Sequence, residues 1–252
     1  MTETMSTHVR IFRSDPSADE DIRYDEFDVT GPDGMRVLDV LRSVYENQAH
    51  DLAFQYACRI GRCGTCGVKV DGKPVLACQE RATASMTIEP LTPFPVLRDL
   101  VVDRDEVEQH YFDLDLTPQR AAEHAGSTDP IDPASGRQIG ILGTCISCMI
   151  CVSGCPAVAD RPFDGPAFMI QLRRLANLPA DQGPRLEQAI DHGMLECFGC
   201  DACTQLCPAD LSPADAIRSF RKEALFGQGR KAGGQGRKAG GKGRKAGRGS
   251  HG

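Results

Sequence analysis

Twelve of the 252 residues are cysteine, and they fall into three groups whose spacing suits redox chemistry. The first is Cys58, Cys63, Cys66 and Cys78, spaced C-x4-C-x2-C with the fourth after eleven intervening residues. This is the plant-type spacing for a [2Fe–2S] cluster. Three thiolates must wrap a small anionic cluster inside one tight loop. Gly61, Gly64 and Gly67 remove side chains that would block the wrap and leave backbone N–H groups free to point at sulfur. Arg59 and Arg62 bring positive charge, which favours the reduced, more negative state. A zinc site would pair two short CxxC knuckles instead of using one asymmetric loop.

The second group is Cys145, Cys148, Cys151 and Cys155, followed by Pro156. The third is Cys197, Cys200, Cys203 and Cys207, followed by Pro208. Each reads C-x2-C-x2-C-x3-C-P, the bacterial two-cluster run. Thiolates spaced by three lie around one turn of backbone and bind one face of a cubane. The fourth cysteine, before a rigid proline, points away and ligates the other cluster. Cys145, Cys148, Cys151 and Cys207 are therefore expected to hold one [4Fe–4S] cluster. Cys155, Cys197 and Cys203 hold the next. Cys200 either completes that set or is a small buried residue turned away from it. Each cluster draws on both runs, so this half is expected not to fold without iron and sulfide.

Nothing else competes as chemistry. The six histidines (His8, His50, His110, His124, His192, His251) form no HxxH or HExxH pair. Asp103 with Asp105, and Glu106 with Glu108, read as a solvated charged face rather than an acid–base pair. No GxGxxG follows a strand, so flavin and nicotinamide sites are expected on another chain. The net charge of −6 hides eight Lys or Arg in the last 26 residues. Without them, 21 basic residues face 35 acidic ones, a net of −14, which argues against a nucleic-acid partner. No apolar run reaches 18 residues, and the first 15 residues lack a secretory h-region. In a reducing compartment, twelve cysteines read as a metal framework rather than as disulfides.

The elements that must position these groups divide the chain by composition. Residues 1–105 alternate as strands in "HVRIFR", "YDEFDVT" and "MTIEPL". One amphipathic helix carries Val37, Leu41, Val44 and Tyr45 on a face, with Asp33 near its start. Asp71-Gly72 makes "GVKVDGKPVLAC" a hairpin that returns Cys78 to the first loop. Residues 106–226 read as all-α: Phe168, Leu172 and Leu175 recur at helical spacing, and Ser212-Pro213 opens a last helix. "HAGSTDPIDPASG" reads as a loop or lid. Residues 227–252, three copies of a Gly-rich seven-residue unit, read as a disordered basic tail. The tail's Gly236-x4-Gly241-Lys242 is not a phosphate loop, because Gly243 replaces Ser or Thr and no strand precedes it.

Taken together, "CRIGRCGTCGVKVDGKPVLAC", "FPVLRDLVVDRDEVEQHY", "CISCMICVSGCP", "GPA" at 165–167 and "CTQLCP" resemble the iron–sulfur subunit of succinate dehydrogenase and fumarate reductase over residues 8–226. The resemblance implies an α+β chain: a β-grasp ferredoxin domain, then an α-helical two-cluster ferredoxin domain. It implies an FAD-containing flavoprotein partner that oxidises succinate, and a membrane anchor where quinone is reduced. It implies a peripheral place on the cytoplasmic face of the bacterial plasma membrane. Family members commonly have no cysteine where Cys200 stands, and their third cluster is [3Fe–4S]. Here a fourth thiolate favours a second [4Fe–4S]. They also carry Trp after the proline matching Pro156 and His after the cysteine matching Cys197. This chain has Ala157 and Phe198 there, and no Trp anywhere. The acceptor is therefore expected to be another redox centre, or a quinone held by the anchor. Other readings are fumarate reductase running in reverse, the electron carrier of another dehydrogenase, or a zinc-stabilised interaction module.

Overall fold

In β1 (Thr4–Arg13), Thr7, Val9, Ile11 and Arg13 are all buried, the period-two pattern of a strand with one face on a core. The computed structural model describes residues 4–18, 21–113, 115–120 and 131–231. β1 pairs antiparallel along its length with β2 (Arg23–Pro32) and parallel with β5 (Ser85–Glu89). β5 pairs antiparallel with β3 (Gly67–Val70), and β3 with β4 (Lys73–Leu76). The sheet order is β2-β1-β5-β3-β4. Asp71 and Gly72 turn the β3–β4 hairpin with φ of 49° and 79°, the positive values a tight two-residue turn requires.

Helix α1 (Val37–Asn47) crosses this sheet and buries Val37, Leu38, Val40, Leu41 and Val44. Two details differ from the sequence reading. Tyr45 is 44% exposed, because the buried stripe ends at Val44. The carboxylate at the helix start is that of Asp39, which accepts from the Arg36 N–H at 2.9 Å; Asp33 lies upstream in the turn. A mixed sheet with one helix across it is the expected β-grasp arrangement. Buried Arg13 ties its edge together. Its guanidinium pairs with Asp99 (3.1 Å), Asp25 (3.0 Å) and Asp51, while Asp99 also accepts from the N–H of Ser14 and Ala53. A short ladder of β6 (Val96–Arg98) and β7 (Val101–Val102) follows.

Helices dominate from there: α2 (Asp105–Asp113), α3 (Pro133–Leu142), α4 (Ile150–Ser153), α5 (Pro156–Asp160), α6 (Pro166–Ala176), α7 (Arg185–Asp191), α8 (Ala202–Gln205) and α9 (Pro213–Lys231). The expected loop or lid is partly α3. Asp132 caps it by accepting from the N–H of Ala134 and Ser135, with Pro133 in the first turn. Residues 124–130 of that stretch lie outside the described residues. Helix α9 runs to Lys231, past the expected start of the tail and through Gly227 and Gly229, since each glycine in a nucleated helix costs only about 1 kcal/mol. The rest of the tail, including Gly236–Gly243, lies outside the described residues.

The two halves are packed differently. The sheet and α1 enclose one contiguous core, which also takes in Cys148 and Ile150. The helical half is divided among three smaller apolar clusters.

Candidate metal centres

The first cysteine loop is held by left-handed backbone at Arg59 (φ 60°), Gly61 (71°) and Gly64 (72°). Gly64 is required twice over. A Cβ there would stand 2.7 Å from the Ile146 carbonyl oxygen and 3.0 Å from Cys148 Cα. The first loop therefore rests directly on the backbone of the second cysteine group. Within the loop, the Arg62 N–H donates to Cys58 Sγ at 3.2 Å, and Gln79 Nε2 donates to Cys78 Sγ at 3.6 Å. Arg59 lines one hollow with Cys78, together with Arg36, Arg42 and the Asp39 carboxylate; Arg62, the other expected cation, is exposed and does not line it.

The second and third groups exchange members. Cys145, Cys148, Cys151 and Cys207 line one hollow. Cys155, Cys197, Cys200 and Cys203 line another. The two runs repeat the same backbone. Ser147 (φ 48°) and Met149 (62°) in one correspond to Gly199 (74°) and Asp201 (63°) in the other. Each run then opens a four-residue helix, α4 or α8. Cys200 stands at the counterpart of Cys148 and is exposed, whereas Cys148 is buried. Arg221 fixes the third run by donating to the carbonyls of Met194, Leu195 and Cys197, and Arg218 pairs with Asp201. Among the described residues, no three His, Cys, Asp or Glu side chains close on a single-ion point. The C-terminal thiols gather four to a hollow, a donor set that fits a cubane cluster given the cysteine spacing of the two runs.

The thiols differ in their ease of ionisation. The Thr65 hydroxyl and nearby backbone N–H groups bring Cys63 down to about 6. Burial, with Cys78 beside it, pushes Cys66 up to about 12. Burial, reinforced by neighbouring thiolates, lifts Cys148 and Cys203 to about 11 and Cys151 well above its ordinary value. Thiolates at the buried positions need cationic iron to stay ionised, so loading them releases protons.

Comparison with known proteins agrees with this donor set. Residues 8–109 match the 2Fe-2S iron-sulfur cluster binding domain, and residues 144–211 match the 4Fe-4S dicluster domain. The mitochondrial succinate dehydrogenase (ubiquinone) iron-sulfur subunit 1 of Oryza sativa is 32% identical over 199 residues, 75% of this chain and 71% of the relative. The chain belongs to the family of succinate dehydrogenase and fumarate reductase iron–sulfur subunits. Another relative is a fumarate reductase (CoM/CoB) subunit of Methanothermobacter marburgensis, 33% identical over 219 residues. That match takes in 86% of this chain but only 44% of the methanogen protein, so the chain spans less than half of it. A chain of the Mycobacterium smegmatis Sdh1 complex in the apo form superposes with a TM-score of 0.81 at 26% identity, covering 90% of this chain and 98% of that one.

Ala157 and Phe198, the residues expected to depart from the family pattern, both line the third hollow of this iron–sulfur subunit. Phe198 is 48% exposed, and the Arg161 guanidinium lies 4.4 Å from its ring centre while pairing with Glu196 at 3.1 Å. Ala157 is buried and lines the same hollow. The sequence reading did not anticipate Thr65, Gln79, Arg218 or Arg221. Thr65 and Gln79 adjoin cysteines and were open to inspection as sulfur-facing donors. The two arginines reach the site across α9, with no local signal.

Proposed function

We propose that this chain is the electron-carrying subunit of a succinate dehydrogenase, relaying electrons from FAD in a flavoprotein subunit to an acceptor at a membrane anchor. The observation that carries the proposal is continuity. The Gly64 loop rests on Ile146 and Cys148, and Cys151 and Cys203 share one buried apolar cluster. The three thiol groups therefore follow one another, the first against the second and the second against the third.

In this reading Cys58, Cys63, Cys66 and Cys78 hold the [2Fe–2S] cluster. Cys145, Cys148, Cys151 and Cys207 hold the middle [4Fe–4S] cluster. Cys155, Cys197, Cys203 and Cys200 hold the third, and the four thiols around one hollow support a second [4Fe–4S] rather than [3Fe–4S]. When bound, the clusters supply one-electron acceptors and donors in sequence. The protein supplies their spacing, the N–H donors on Cys58 and Cys197, and apolar packing around Cys151 and Cys203. No helix among the described residues is long and apolar enough to cross a membrane, which suits a peripheral subunit on an anchor at the cytoplasmic face. With Phe198 and Ala157 at the exit, the acceptor is another redox centre in a partner, or a quinone held by the anchor. The same parts serve fumarate reduction, the activity named for the methanogen relative.

The test is anaerobic isolation of the complex followed by addition of succinate. Co-purification with a flavin-containing chain and succinate-driven appearance of reduced-cluster EPR signals are expected. A colourless chain, or clusters that ignore succinate and fumarate alike, would overturn the reading.

A further inference from the structure

Two hydrogen-bond donors are left over beside the middle thiol ring. Tyr111 of α2 stacks on Phe168 of α6, with ring centres 4.6 Å apart and planes at 25°. Its hydroxyl is buried and makes no hydrogen bond. Ser147, between Cys145 and Cys148, approaches the phenol without closing one. Arg104, just before α2, donates through Nη2 to the Ser147 carbonyl at 2.5 Å. Its Nε–H is buried and also makes no hydrogen bond. The same arginine lines a hollow with Gly64 and Thr65 of the first cysteine loop, so it stands between the first two thiol groups.

An orphaned buried donor costs about 1–3 kcal/mol, and two beside one loop need an acceptor. A phenol at neutral pH and a guanidinium both donate. Tyr111 packs against the buried apolar cluster that contains Cys151, so the ring's sulfur is the acceptor at hand. We propose that Tyr111 and Arg104 donate to sulfur of the cluster held by Cys145, Cys148, Cys151 and Cys207, and thereby raise its reduction potential. The inference rests on the ligand set given under the proposed function. Donors to sulfur stabilise the more negative reduced state more than the oxidised one. Arg104 extends the effect toward the first cluster, placing a fixed positive charge between two anionic centres.

The test uses the intact complex isolated anaerobically, with wild type, Tyr111→Phe, and 3-fluorotyrosine installed at position 111. EPR-monitored redox titration reads each cluster separately. Tyr111→Phe keeps the stack on Phe168 and removes only the donor. It is expected to lower the reduced-to-oxidised ratio of the middle cluster about tenfold at fixed potential, equivalent to about 59 mV for one electron. The other two clusters keep their potentials. The fluorinated phenol, a stronger donor, shifts the middle cluster in the opposite direction. Unchanged midpoints in complexes with full iron and sulfide would overturn the inference, showing that a bridging water satisfies the donors. If Tyr111→Phe fails to load, the fluorotyrosine complex decides alone. A wild-type complex without a middle-cluster signal would refute the ligand set itself, and this inference with it.

Discussion

Gly64 and Gly72 form a matched pair of probes. Both have left-handed backbone, with φ of 72° and 79°, so alanine at either carries a conformational cost of about 1–2 kcal/mol. They differ in what the new methyl meets. At Gly72 nothing lies within 4 Å; at Gly64 the Ile146 carbonyl oxygen is at 2.7 Å and Cys148 at 3.0 Å. Ordinary carbon contacts sit near 3.5 Å or beyond, so the two cysteine loops must part by roughly 0.5–0.8 Å. The obstacle is backbone on both sides and cannot rotate away. Overpacking of this kind adds about 1–3 kcal/mol. For a chain of this size, each kcal/mol lowers the unfolding midpoint by about 2–4 °C. Gly72→Ala is expected to cost about 2–8 °C, and Gly64→Ala a further 2–12 °C. The assay is thermal bleaching of the cluster absorbance, read beside circular dichroism. EPR after rapid mixing of the complex with succinate should show the first cluster reduced normally and the second delayed in Gly64→Ala only. Equal midpoints and equal second-cluster kinetics in the two variants would refute the direct contact between the loops.

Other outcomes follow from the same geometry. Cys200→Ala is expected to cost one iron per complex and to create an oxidised-state EPR signal of [3Fe–4S] type; the same strong signal in anaerobic wild type would sink the four-thiolate assignment. Arg13→Leu strands the buried Asp99 carboxylate and should destabilise the sheet half by about 3–5 kcal/mol. Adding Asp99→Asn should recover part of that loss, and purely additive midpoints would show that the two side chains are not coupled. Chelation of iron is expected to remove helical circular dichroism while the strand signal persists, because only the sheet half has a contiguous core. A helical signal that survives chelation would contradict this.

What could be read from the sequence depended on how local the cause was. The cysteine spacing and Asp71-Gly72 fix their own turns, so the loops and the hairpin were legible. The shared membership of the two hollows was legible too, because the rigid ring of Pro156 or Pro208 turns the preceding cysteine away from its own run. Helix α3 was legible but overlooked: Asp132-Pro133 is a start signal hidden among polar, glycine-containing residues. Tyr45 sits at the border of the buried stripe, where periodicity alone does not assign a side. The donors at Arg104 and Tyr111 were not legible. They lie more than thirty residues before Cys145, and only the stack of Tyr111 on Phe168 and the bond from Arg104 to the Ser147 carbonyl place them near the second cysteine group.

The placement of Cys207 with Cys145, Cys148 and Cys151 also sets a timetable for synthesis. The last thiol of that ring is 56 residues downstream of the third. At about 5–20 residues per second, a ribosome needs roughly 3–11 s to deliver it, with three reactive thiols already made. Iron offered during that interval would meet an incomplete cage, and oxidants would meet bare sulfur. The architecture thus favours loading after Cys207 has emerged, by a donor that hands over finished clusters to a chain kept reduced until then.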